Sequence, residues 1–88
     1  MTRKVIIAYD IKDEKRRSSL RKLLKQYLFR KQYSVYIGEL TQKHITQLKK
    51  ELRARIDEEE DSVIFFVVLN MAYVEMDEFG VKDEFDFI

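Results

Sequence analysis

The chain has 88 residues, 45% hydrophobic and 38% charged, with no cysteine and no proline. That length makes one domain, and the absence of cysteine excludes disulfides, zinc–thiolate centres and thiol catalysis. Net charge is only +1, but residues 1–44 hold 12 Lys/Arg against 4 Asp/Glu, while residues 45–88 hold 5 against 12; such an asymmetry suggests a polyanion for the basic half, against the plainer reading of a solvated helix face.

The first element is an apolar strand, Arg3 to Asp10, whose near-continuous run Val5-Ile6-Ile7-Ala8 fits a central strand. It ends on a carboxylate, and a basic segment follows at once. Asp13 is a good N-cap and Glu14 suits the positive end of a helix dipole. Leu20, Leu23, Leu24, Tyr27 and Leu28 then form one apolar stripe at helical period, with Arg17, Arg21, Lys22 and Lys25 mostly off it. From Phe29 to Leu40 the pattern is β, either one bent strand or a short hairpin turned near Gln32; an Asn-Gly type turn signal is missing. Thr41 caps a second helix lined by Ile45, Leu48, Leu52 and Ile56, and the acidic run Asp57 to Asp61 makes a loop. Ser62 to Leu69 is the strongest strand, a weaker one is expected at Tyr73 to Met76, and an acidic tail with interleaved aromatics follows from Asp77.

This order predicts an α+β fold: a ferredoxin-like βαββαβ sandwich with a C-terminal extension strand, its antiparallel sheet covered by two helices on one face. Residues 1–76 form the domain, and residues 77–88 a tail expected to pack on the body or on a second subunit. A domain this small buries only about 60–65% of its unfolded surface, which favours a homo-oligomer. No apolar run approaches the roughly 20 residues of a membrane span, and no signal peptide is expected, so the expected location is cytoplasmic with no membrane partner.

Asp10 is the leading candidate for chemistry. A hard divalent cation takes oxygen ligands and tolerates few protein carboxylates, and a twofold dimer would bring two copies of Asp10 to one ion. The plainer alternative is a turn-capping Asp10 that touches Arg16 or Arg17; Asp13 is a cap first. Arg16, Arg17, Arg30 and Lys31 are candidate phosphate contacts, with Arg21 beside them on the helix. Ser34 is a candidate hydrogen-bond donor to phosphate. Tyr9 and Tyr36 can stack on a base, or pack their rings and show their hydroxyls to solvent. His44 lacks any partner for catalysis or metal binding. No P-loop or GxGxxG is present.

Taken together, Val-Ile-Ile-Ala-Tyr-Asp-Ile (5–11), Asp13 with Lys15-Arg16-Arg17, Gln32-Tyr33-Ser34-Val35-Tyr36-Ile37-Gly38-Glu39-Leu40-Thr41, and Asp61-Ser62-Val63 resemble the CRISPR-associated protein 2 family from residue 3 to about 75. The resemblance implies a ferredoxin-like homodimer whose C-terminal strand augments the partner's sheet. It implies a magnesium-dependent (or manganese-dependent) endonuclease acting on phosphodiester bonds of RNA or duplex DNA, and a place in spacer acquisition with a larger CRISPR integrase subunit. The family's metal Asp falls on Asp10, while Tyr9, Arg17 and Tyr36 fall on positions near that site. The alternative is a non-catalytic dimeric scaffold that holds DNA and bridges integrase subunits.

Overall fold

A computed structural model describes residues 1–69 together with Glu75, Asp77, Phe79 and Gly80. Six elements run in the order β1 (Arg3–Asp10), α1 (Glu14–Lys25), β2 (Phe29–Gln32), β3 (Val35–Leu40), α2 (Gln42–Arg53) and β4 (Ser62–Val68). The strands form one antiparallel sheet in the order β2-β3-β1-β4, so the first strand in sequence is central and the two helical crossovers lie on one face. This is the βαββαβ arrangement expected from the sequence. The strand expected at Tyr73 to Met76 and most of the tail lie outside the described residues.

Period-two alternation sets the two faces of the sheet. On β1, Val5, Ile7 and Tyr9 are buried against the helices. Leu20, Leu23 and Leu24 of α1, and Ile45, Leu48 and Leu52 of α2, meet them from above. Both helices start where the sequence says they should. The Asp13 carboxylate accepts from Arg16 N at 2.9 Å, and Thr41 Oγ1 accepts from His44 N at 3.3 Å, each satisfying an otherwise orphaned amide of a first turn.

The β region after α1 is a hairpin. Its turn falls at Tyr33-Ser34, one residue beyond Gln32, with a register shift between Arg30 and Gln32. Tertiary hydrogen bonds do the work that Asn-Gly does elsewhere. The Tyr33 carbonyl accepts from Tyr9 Oη at 3.1 Å and from Arg30 Nη2 at 3.0 Å, and the Ser34 carbonyl accepts from Tyr9 N at 3.1 Å. Gly38 lets β3 pass close under the end of the first crossover: a Cβ there would stand 2.7 Å from Leu28 Cδ2 and 3.4 Å from Leu28 Cα.

No described element covers the other face of the sheet. Ile6 pairs with Ile37 and Phe66 across its two neighbours, and Ala8 with Val35 and Ile64. Ile64 and Phe66 are half exposed. Asp10 belongs to this same face, at the end of β1, opposite Ser62.

Candidate active site

An open cleft of about 310 Å³ lies at the C-terminal end of β1, lined by Tyr9, Asp10, Ile11, Arg17, Tyr33 and Ser34. Three elements build it. β1 delivers Tyr9 and Asp10 to opposite faces, the first turn of α1 brings Arg17, and the β2–β3 turn brings Tyr33 and Ser34.

Asp10 reaches solvent, with 70% of its side chain exposed, and its carboxylate stands 3.2 Å from Lys12 Nζ. It therefore pairs with Lys12 rather than with Arg16 or Arg17, which corrects the sequence-based alternative. The reason is alternation: Asp10 points to the uncovered face, while both arginines belong to the helical layer.

Glu14 organises the helical cations. It accepts from Arg17 Nη2 at 2.8 Å and lies 3.5 Å from Arg21 Nη2. Arg17 also approaches the Ile11 carbonyl at 3.5 Å, while its buried Nε has no hydrogen-bond partner among the described residues. Arg17 is thus held at the cleft with donor capacity to spare. Ser34 is half-buried on the cleft wall.

Arg16 faces elsewhere. Its Nε donates to Asp61 Oδ2 at 2.8 Å and its Nη2 to Asp61 Oδ1 at 3.2 Å, with Glu60 Oε2 at 3.3 Å. The Asp61 side chain is wholly buried and also accepts from Lys12 N at 3.1 Å and Asp57 N at 2.9 Å. Four donor groups hold the Asp61 carboxyl well below the usual carboxylate range, the Arg16 hydrogen bond contributing most. This latch ties the β1–α1 corner to the α2–β4 loop. The acidic run Asp57 to Asp61 reads in sequence only as a loop; the position of Asp61 just before β4, opposite the β1 exit, is the signal for its partner.

Tyr36 is fully buried, its ring centroid 6.3 Å from that of Tyr9. Its hydroxyl has no partner among the described residues and does not show to solvent, so neither expectation for this side chain fits: no base reaches a ring that is 0% exposed. Tyr9 is also buried, and its hydroxyl is committed to the Tyr33 carbonyl. Burial pushes both phenols above their ordinary value. Arg30 and Lys31 sit half-buried on or beside β2, Arg30 over the Tyr33 ring. The exposed aromatic at the site is Tyr33, which sequence reasoning did not single out. The His44 ring meets the edge of the Tyr27 ring, their centroids 6.0 Å apart.

The chain is an α+β sandwich of ferredoxin-like topology with a carboxylate and an arginine lining a cleft where the central strand emerges; that topology carries many functions, and comparison with known chains selects one family. The model of the CRISPR associated protein Cas2 family matches residues 3–76, and the chain belongs to that family. A CRISPR-associated endoribonuclease Cas2 from Thermus thermophilus is 46% identical over 57 residues, covering 65% of this chain and 61% of that one. The chain therefore spans about three fifths of that relative's length. Another, from Thermodesulfovibrio yellowstonii, is 38% identical over 80 residues, covering 91% of this chain and 90% of that one. A solved structure described as the crystal structure of cas2 superposes with a TM-score of 0.82 at 32% identity, over 96% of this chain and 93% of that one. Among the described residues, no helix is long and apolar enough to cross a membrane.

Proposed function

We propose that this chain is a divalent-metal-dependent endonuclease that hydrolyses phosphodiester bonds in RNA or DNA and works as a homodimer. The observation that carries the reading is the cleft that Asp10 and Arg17 both line, with Ser34 on its wall. The endoribonuclease names of the Thermus and Thermodesulfovibrio relatives support it.

Among the described residues Asp10 is the one carboxylate lining that cleft, and they hold no group of three or more His, Cys, Asp or Glu fit for a metal. Such a sparse donor set suits Mg2+ or Mn2+, which bind through one or two carboxylates and complete their shells with water and phosphate oxygens. When bound, the ion supplies charge neutralisation at phosphate and acidifies water. The chain's own residues do the remaining work. Asp10 anchors the ion. Arg17 offsets the charge that builds on the phosphate in the transition state. Ser34 donates a hydrogen bond to a phosphate oxygen. Tyr9 remains protonated and acts as a positioning residue, holding the turn that carries Tyr33 and Ser34. Arg21, Arg30 and Lys31 add phosphate attraction. Arg16 serves mainly as the latch to Asp61.

The uncovered face supports the dimer. Ile6, Ala8 and Asp10 share that face of β1, so a twofold contact over Ile64 and Phe66 would bring both Asp10 carboxylates to one side of the interface. Within a CRISPR system we assign the chain to spacer acquisition beside a larger integrase subunit, which the acidic segment 77–88, five acids against one lysine, would dock by charge. The scaffold reading draws on a separate observation: Lys15, Lys22 and Lys25 of α1 are exposed and suit a duplex backbone without cleaving it.

The test is cleavage of single-stranded RNA and duplex DNA by the wild-type chain with EDTA, then with Mg2+ or Mn2+ restored, beside Asp10→Ala. Cleavage that returns with metal and falls at least about 100-fold in Asp10→Ala is expected. Equal cutting by the variant sinks Asp10 as the metal anchor, and a wild type that cuts nothing leaves the scaffold.

A further inference from the structure

Asp61 stands directly before Ser62, the residue that pairs with Asp10 across β1 and β4. Its side chain is 0% exposed, a costly place for a carboxylate unless hydrogen bonds replace its water. Closing the α2–β4 loop asks for less than Asp61 receives. The Asp61 amide donates to the Asp57 carbonyl at 2.7 Å, and the Asp57 amide donates to Asp61 Oδ2 at 2.9 Å. Those two bonds close the loop by themselves. The remaining donors come from outside it. Lys12 N reaches Asp61 Oδ1 at 3.1 Å, while Arg16 Nε reaches Oδ2 at 2.8 Å and Arg16 Nη2 reaches Oδ1 at 3.2 Å.

Lys12 and Arg16 bracket the corner between β1 and α1. Lys12 lies two residues after Asp10, with its Nζ 3.2 Å from the Asp10 carboxylate. Arg16 lies one residue before Arg17. Asp10 and Arg17, at the two ends of that corner, both line the cleft, and Asp61 does not. Asp61 thus grips the corner at two points just inside the cleft residues, from a post fixed by β4 and the closed loop. We propose that Asp61 is a positioning residue: through Lys12 and Arg16 it sets the placement of Asp10 relative to Arg17. The inference rests on the nuclease reading and adds a control on that same site. Small displacements matter there, because misplacing a reacting group by about 1 Å costs about 100-fold in rate. Groups that orient a metal ligand are worth about 10- to 100-fold in affinity or activity.

The experiment compares three variants of the full chain below their melting transitions. Asp61→Asn keeps the shape of the side chain, removes its charge and turns one acceptor into a donor. Arg16→Gln frees residue 16 but leaves the Lys12 amide bonded to Asp61. Leu48→Ala, in the buried core face of α2, reports a merely structural loss. Mn2+ affinity is read by electron paramagnetic resonance without nucleic acid, and RNA cleavage by kcat, KM and the Mg2+ concentration at half-maximal rate. Asp61→Asn is expected to weaken Mn2+ binding about tenfold, to raise the Mg2+ requirement in step, and to lower kcat about 10- to 100-fold with KM for RNA unchanged. Arg16→Gln is expected to lower kcat and retain Mn2+ affinity. Leu48→Ala is expected to lose rate only in proportion to its unfolded fraction, with the metal requirement of wild type. Wild-type Mn2+ affinity and kcat in a folded Asp61→Asn overturn the proposal, as does a metal requirement that moves equally in Leu48→Ala. Should Asp61→Asn fail to fold, a wild-type kcat in Arg16→Gln overturns it. A wild type that binds Mn2+ and cuts nothing refutes the nuclease reading, and the Mn2+ affinity of Asp61→Asn then decides the placement of Asp10 by itself.

Discussion

Asp61 and Arg16 show how strongly one buried carboxylate can be engaged. The folded chain holds Asp61 below its ordinary value through Arg16 and two backbone amides. A depressed carboxyl contributes stability that is present above its unfolded value, about 4, and lost as pH falls below it. Acid titration of wild type should therefore show stability declining below about pH 4, and Asp61→Asn should be less stable at neutral pH with a shallower acid limb; chemical denaturation at a series of pH values reads both. The tyrosines run the other way. Tyr9 and Tyr36 are raised chiefly by burial, so their contribution holds up to the unfolded value near 10 and fades above it. Tyr9→Phe deletes the donor to the Tyr33 carbonyl and is expected to cost about 1 kcal/mol in denaturant unfolding, partly cushioned because Arg30 still serves that carbonyl.

The elements were legible in the sequence because each announces itself locally. Asp13 and Thr41 cap as their types predict, and the stripes of α1 and α2 bury Leu20, Leu23, Leu24, Ile45, Leu48 and Leu52. Asp13→Ala should cost about 1 kcal/mol of stability and leave cleavage intact, which separates a cap from a ligand; a parallel loss of activity would reassign it. What stayed hidden depends on contacts distant in sequence. The hairpin turn is held by Tyr9, 24 residues away, and Arg16 finds Asp61 45 residues on. Gln32 to Gly38 carries apolar or aromatic residues on both faces, so alternation alone does not say whether Tyr36 or Val35 and Ile37 turn inward. The structure resolves it: the helices cover the Tyr36 side. The candidate site was legible only in part for the same reason. Asp10 stood out at a strand exit, but its neighbours were set by the face it points to.

On the scale of the whole molecule, the opposed charges of the two halves look less like a free polyanion surface once folded. Arg17 and Arg21 meet Glu14 from their own half, and Arg16 meets Asp61 and Glu60 from the other. The uncovered apolar face is the larger feature. Exposed apolar groups gathered on one face mark an interface more often than they mark a monomer's surface. Ile64→Glu combined with Phe66→Glu is expected to convert a dimer into a folded monomer in sedimentation velocity, with cleavage lost because a single Asp10 no longer has its symmetry mate. A double variant that remains dimeric would move the interface elsewhere.

The proposed function turns on the negative charge of Asp10 as the driver of metal-dependent cleavage. Asp10→Asn keeps the shape of the side chain and removes only that charge, so the most direct measurement is its cleavage rate in Mg2+ beside wild type, with RNA affinity and dimerisation followed in the same preparations. A rate at least about 100-fold lower is expected, in a protein that is still dimeric and still binds RNA. A rate close to wild type would contradict it.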